Sequence, residues 1–364
     1  MTKTGKAAVM TAADGRIELL EYPLPEVEEA CLLVRVQCCT ICGSDVHSWS
    51  GSRPTPLPII LGHEIVGTIV QCGSGLTHDC NDVPLQVGDR ITWTLMDNCG
   101  RCYYCRTKQL PMKCRHLKKY GHVSCGEPPH FHGGFAEYCY ITPGTCCFKL
   151  PDSLADEVAA PANCALSTVL AAWESIALQS FENVLIQGAG ALGVYAAALA
   201  AHHGCDRIIV LDILDSRLEF IKQFGATDVL NTRDLTQEAI IAHIRDLTQG
   251  HGVDCVLESA GVPGLIPLGL QCLRYGGRYV ELGCVFPEAG FHCDAFDIVF
   301  KRLTIKGIHN YDAHHLQQAI DFLTATQDRF PFQEMITHRV GLDEVASGLS
   351  TAKAGKAIRV AVFP

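Results

Sequence analysis

Four cysteines stand within sixteen residues in CGRCYYCRTKQLPMKC, at Cys99, Cys102, Cys105 and Cys114. Four thiolates around one zinc close a tetrahedron, so a metal there stabilises a loop and activates nothing. A thioredoxin-like redox pair would want Cys-x-x-Cys opening a helix in a βαβ setting, which this stretch lacks. A second set of ligand types is scattered: Cys42, Ser44, Asp45 and His47 in CCTICGSDVH, His63 and Glu64 in LGHEIVG, and Cys164 in PANCALST. Zinc prefers cysteine and neutral histidine, and a catalytic zinc keeps one position for water or substrate. Cys42, His63 and Cys164 could supply three ligands and leave that position free. Read alone, Cys164 better fits an ordinary buried cysteine.

A third group concerns phosphate. VLIQGAGALG sets Gly188, Gly190 and Gly193 after an apolar strand and at the opening of an Ala-rich helix. Such glycines serve a tight turn, close approach of backbone to a pyrophosphate, and helix–strand packing, while the helix N-terminus offers N–H groups to the anion. RIIVLD then ends in Asp212, an acidic residue placed to accept from ribose hydroxyls and to repel a 2′-phosphate, which favours NAD over NADP. The alternative is a Rossmann-like sheet with a capping Asp and no dinucleotide. Arg217 suits either an adenosine ribose contact or a solvated helix face.

These residues need a scaffold, and 364 residues exceed what one core serves, so two domains are expected. The apolar fraction of 48% and charged fraction of 19% exclude disorder. A net charge of −10, with Lys and Arg scattered, excludes nucleic acid as a partner. No apolar run reaches membrane-span length, the first residues lack a signal-peptide core, and a cytoplasmic location is expected. In a reducing compartment the twenty cysteines would bind metal or lie buried.

Residues 1–165 alternate β-rich runs with Gly, Pro and Cys turns, the texture of a strand-rich domain with functional loops. Residues 166–305 alternate strand and helix, as in NVLIQGAGALGVYAAALAAHHG and RIIVLDILDSRLEFIKQFGA, which predicts a doubly wound parallel sheet. Residues 306–364 return to mixed texture, with a helix at HLQQAIDFLTATQ and a strand at GKAIRVAVF. The domains read as 1–165 with 306–364, and 166–305.

Cys42-Gly43-Ser44-Asp45-x-His47, Gly62-His63-Glu64-x-x-Gly67, the four-cysteine run and the glycine fingerprint occur in this order along the whole chain. In that combination the chain resembles the zinc-dependent medium-chain alcohol dehydrogenases. The resemblance implies an α/β enzyme with a GroES-like catalytic domain, a Rossmann domain and two zinc ions, catalytic and structural. Cys42, His63 and Cys164 match the catalytic ligands, and Cys-x-x-Ser-Thr from Cys164 to Thr168 resembles the alcohol dehydrogenase branch; polyol dehydrogenases commonly have Glu in the third position. Glu64 matches a carboxylate behind the metal that can enter its coordination, and Arg359 an arginine near it and the cofactor phosphates. Asp45 matches the carboxylate that orients the ligand histidine. Ser44 and His47 match a relay that carries the proton away while hydride goes to NAD. Cys99, Cys102, Cys105 and Cys114 match the structural set, with eight residues before the last cysteine where the family usually has seven.

By position in the family, Ser44, Leu95 and residues around Trp49 line the substrate pocket. KYGH, GGFAEY, APANCA and PFQEMITHRVGLDEV resemble a subgroup associated with phosphonate catabolism, which implies a phosphonate-bearing alcohol or aldehyde. Arg53, His122, His130 and His132 are then candidates for a basic wall. The alternatives are a polyol or aminoalcohol dehydrogenase of the same family, or a non-catalytic zinc- and nucleotide-binding protein. The joint presence of Cys42, Ser44, His63, Glu64, Cys164 and Arg359 argues against the last. Family members pair through a late strand of the nucleotide domain, and RLTIKGIHN has the β-branched character for it, so a homodimer or tetramer is expected.

Overall fold

A computed structural model describes residues 3–287 and 289–364. The chain forms two compact units, Met1–Ser167 with Asp312–Gln327 and Phe332–Pro364, and Thr168–Tyr311 with Asp328–Pro331.

The first unit is built on a seven-stranded sheet running Ile336–Gly341, Arg359–Phe363, Leu32–Thr40, Glu64–Cys72, Arg90–Trp93 and Cys147–Lys149, with Tyr138–Ile141 paired to Leu32–Thr40 off this path. A three-stranded sheet, Ile17–Pro23, Thr4–Met10 and Ile59–Ile60, packs beside it around Trp93, Phe131 and Phe135, all fully buried. The central strand LLVRVQCCT is buried on both faces along most of its length, which is why it reads as a near-continuous apolar run. Its register sets Thr40 opposite Glu64 and, on the other side, opposite Ala361. That alignment brings the end of the Gly-His-Glu segment and the start of the last strand to one place.

Gly62 turns the chain before His63: its φ is +83°, and a Cβ there would meet the Phe135 ring at 2.6 Å. No other residue type fits that turn without displacing the core.

The second unit is a six-stranded parallel sheet in the order Asp228–Asn231, Arg207–Asp212, Asn183–Gln187, Val253–Glu258, Leu273–Glu281 and Thr304–Gly307. The chain winds one way from Asn183–Gln187 and then the other from Val253–Glu258, the doubly wound arrangement with its switch point between those strands. Helix Ala191–His203 is buried from Gly193 to Ala200, which explains why its sequence is apolar on every face. Thr304–Gly307 is an exposed edge strand, and helix Ala295–Phe300 before it leaves Phe296, Val299 and Phe300 exposed. Among the described residues no helix is long and apolar enough to cross a membrane.

Candidate metal centre and nucleotide site

Helix Gly43–Trp49 starts at Cys42, and Asp45 one turn in serves as its anchor. The buried Asp45 carboxylate accepts from Cys42 N (2.9 Å) and from Gly62 N (3.1 Å), so one side chain ties the Cys-Gly-Ser-Asp turn to the Gly-His-Glu turn. Its Oδ1 also lies 3.2 Å from His63 Nδ1, at ion-pair distance but off the line of a hydrogen bond. The third segment is held by Asn163, whose Nδ2 donates to His63 O and to Trp93 O, both at 3.0 Å. Cys164 follows directly.

The outcome is a convergent group. Cys42 Sγ and Cys164 Sγ are 4.0 Å apart, and Cys164 Sγ is 3.5 Å from His63 Nε2. A tetrahedral zinc with bonds of ~2.3 Å to sulfur and ~2.0–2.1 Å to nitrogen separates S from S by about 3.8 Å and S from N by about 3.5 Å. The spacing therefore fits such an ion. Ser44 Oγ lies 3.4 Å from the same Nε2. Glu64, wholly buried, accepts from Thr40 Oγ1 and pairs with Arg359 Nη1 at 2.9 Å through Oε2, while Oε1 has no hydrogen-bond partner. Cys42, His63, Glu64 and Cys164 together offer donor atoms within 4.8 Å of one another.

The four donor side chains shift one another strongly. The two thiols hydrogen-bond to each other, which drives Cys42 well below its ordinary pKa and Cys164 well above. Burial pushes Glu64 up to about 8 against the pull of Arg359. Burial works against a charged His63, yet Asp45 and the Cys42 thiolate raise it to about 10. A metal bound by these donors would displace their protons.

Of the proposed basic wall, two members meet the group. The His122 ring is 5.0 Å from that of His63, and its Nε2 is 3.2 Å from Arg53 Nη1. His130 is engaged elsewhere, stacked on Tyr22 at 4.6 Å with Nδ1 on Cys125 O, and His132 feels chiefly burial, Lys118 and His130. Leu95 is buried, and Trp49 Nε1 donates to Gly15 O at 2.7 Å. His47 occupies the last turn of helix Gly43–Trp49. Lys119, which the sequence reading passed over, feels first its own burial, which lowers its pKa, and then Cys164, Arg53 and Cys42. Nothing local in the sequence marks it, because only the fold sets it near Arg53.

The four-cysteine loop also converges. Cys102 Sγ lies 3.5 Å from Cys105 Sγ and 3.9 Å from Cys114 Sγ, and Cys114 Sγ 3.4 Å from Cys99 Sγ. Backbone N–H groups of Cys99 and His116 point at Cys114 Sγ, both at 3.3 Å. The long spacer is taken up by Gln109 in the left-handed region and a tight turn at Pro111–Lys113.

In the second unit Gly188 has φ +105°, and a Cβ on Gly193 would stand 1.9 Å from Gly188 O. Helix Ala191–His203 opens directly after Gly190. Asp212 accepts from Ala189 N (2.8 Å), Ile213 N (2.7 Å) and Leu214 N (3.0 Å), so it also braces the glycine turn, with a lone pair left for a ligand. Arg217 lies on helix Asp215–Ile221, and Thr168 on helix Ala165–Ser175.

Residues 28–152 match the alcohol dehydrogenase GroES-like domain, and residues 191–325 the zinc-binding dehydrogenase family. With the strand-rich unit, the parallel sheet and two groups of zinc-type ligands, this defines an oxidoreductase of two domains. The chain belongs to the zinc-dependent medium-chain alcohol dehydrogenase family, whose members act on CH–OH groups. It is 32% identical over 357 residues, 97% of each chain, to the 5-exo-hydroxycamphor dehydrogenase of Pseudomonas putida. Among solved structures, an alcohol dehydrogenase from Thermotoga maritima superposes with a TM-score of 0.95 at 30% identity, covering 100% of both chains. A protein described as a zinc-binding dehydrogenase from Sinorhizobium meliloti, bound to NADP, gives 0.87 at 28% identity over 100% of both.

Proposed function

We propose that the chain is an NAD-dependent alcohol dehydrogenase with a catalytic zinc on Cys42, His63 and Cys164 and a structural zinc on Cys99, Cys102, Cys105 and Cys114. The observation that carries this reading is the near-tetrahedral spacing of two sulfurs and one imidazole nitrogen, with the Ser44 hydroxyl 3.4 Å from that nitrogen. A zinc held by Cys42, His63 and Cys164 would supply Lewis acidity toward a substrate hydroxyl, and a nicotinamide held by the second unit would supply the hydride acceptor. The chain's part is orientation and proton transfer. Asp45 holds the His63 ring so that Nε2 faces the thiols. Ser44 would take the substrate's hydroxyl proton as it gives up its own toward His47, one helical turn on, and His47 would release a proton to solvent. Glu64, backed by Arg359, offers the unpartnered Oε1 as a further ligand. For the cofactor, Gly188, Gly190 and Gly193 admit the pyrophosphate and Asp212 disfavours a 2′-phosphate, which supports NAD even though a similar structure holds NADP. Thr168, Arg217 and Arg359 complete the proposed cofactor contacts.

Arg53 and Lys119 support a substrate that carries an anionic group such as a phosphonate, while His122, held well below its ordinary pKa by burial and by Lys119, stands beside them as a neutral imidazole. The exposed strand Thr304–Gly307 and the apolar side chains of Phe296, Val299 and Phe300 support pairing of two copies through this edge. Phe296→Glu should then sediment as a smaller species than the unmodified protein; an unchanged mass would remove this edge as the interface.

Two substitutions separate the metal roles. Cys42→Ala should lower kcat/KM by about a thousandfold or more while NAD affinity, read by fluorescence titration, stays within about twofold. Cys114→Ser should instead lower Tm and speed proteolysis within the 99–118 loop. Full activity in the Cys42 variant would end the zinc mechanism. For the substrate, 2-hydroxyethylphosphonate should exceed simple primary alcohols in kcat/KM, and Arg53→Met should raise its KM about tenfold or more. Equal turnover of both substrate types would end the phosphonate reading and leave the alcohol dehydrogenase reading standing.

A further inference from the structure

The second unit holds a group of side chains that the proposed reaction does not use. Strands Val253–Glu258 and Leu273–Glu281 are parallel neighbours, and the register sets their last residues, Glu258 and Glu281, side by side. Each carboxylate is anchored through one oxygen. Glu258 Oε1 accepts from Gly261 N at 2.8 Å, and Glu281 Oε1 from Cys284 N at 2.9 Å. The other oxygen of each, Oε2, is buried and has no hydrogen-bond partner. Glu258 as a whole is 0% exposed. One donor atom each from Glu258, Glu281 and Cys284 falls within 4.8 Å of the others. Gly283 keeps the space open, since a Cβ there would stand 2.3 Å from Glu258 Oε2.

Two buried carboxylates side by side cannot both hold their charge unless a proton or a metal cation lies between them. Burial and the neighbouring Glu281 hold the Glu258 carboxyl up at about 8, and no basic side chain ranks among the strongest influences on it. Calcium and magnesium want six or more oxygens. Two carboxylate oxygens and a sulfur suit a softer ion that accepts thiolate and few ligands.

We propose that Glu258, Glu281 and Cys284 form a further divalent-metal site, taking zinc or cobalt with water as the fourth ligand and stapling the two strand ends together. Binding releases the proton held on Glu258 and the thiol proton of Cys284 to solvent, so two protons leave for each ion that enters. The ion would close the loops that follow these strands at the carboxyl ends of the sheet.

The full chain, equilibrated with micromolar Co²⁺ or Zn²⁺ near neutral pH and then freed of unbound ion, supplies the test. Metal per chain is counted by plasma mass spectrometry for the unmodified protein, Cys284→Ser and Glu281→Gln. The proposal expects each variant to hold one ion fewer, and the cobalt form of Cys284→Ser to lose part of its sulfur-to-cobalt absorption. Equal counts in all three proteins overturn it, because the carboxyl pair then holds only a proton. Should Glu281→Gln fail to fold, Cys284→Ser alone decides. The reading is a difference between variants, so it stands apart from whether the Cys42 centre is occupied or active.

Discussion

Asp45 carries more of this structure than its size suggests. Its buried carboxylate accepts from the backbone of Cys42 and of Gly62 and lies against the His63 ring. Two segments that are far apart on the sheet's connections, the start of a short helix and the turn into a strand, are thereby held at one register. Burying an unpaired carboxylate is costly, and leaving those two N–H groups unpaired would cost about 1–3 kcal/mol each. The two segments therefore come together with Asp45 between them, and the donor atoms of Cys42 and His63 follow.

The four cysteines of the 99–114 loop and the group around Cys42 differ in their surroundings. In the 99–114 loop four sulfurs face one another, and the neighbouring donors are backbone N–H groups of the same loop. Around Cys42, His63 and Cys164 the donors come from three distant segments, and the surroundings include a serine hydroxyl, an arginine-backed glutamate and a basic group at Arg53 and Lys119. A closed thiolate set completes itself.

Much of the fold was legible because the two textures have different physical causes. Strands of the parallel sheet are buried on both faces and read as continuous apolar runs, and Gly193 must be glycine because the helix packs onto Gly188 O. Other parts were not legible. Asn163 matters through hydrogen bonds to residues 70 and 100 positions away, and Thr40 through its register opposite Glu64. Neither leaves a local pattern. Lys119 stood in plain view, but only the fold sets its charge beside Arg53 and the thiols. Asp212 shows the converse: the acidic residue at the strand end was readable, whereas its three backbone partners depend on how the glycine turn closes.

The central claim is that Cys42, His63 and Cys164 hold one metal ion at which alcohol is oxidised. Diffraction from crystals of active protein, recorded on either side of the zinc absorption edge, tests it most directly. The account predicts one anomalous peak bounded by Cys42 Sγ, His63 Nε2 and Cys164 Sγ, and another among the four cysteines of the 99–114 loop. A protein that oxidises alcohol with NAD yet gives no peak at the first position would contradict it.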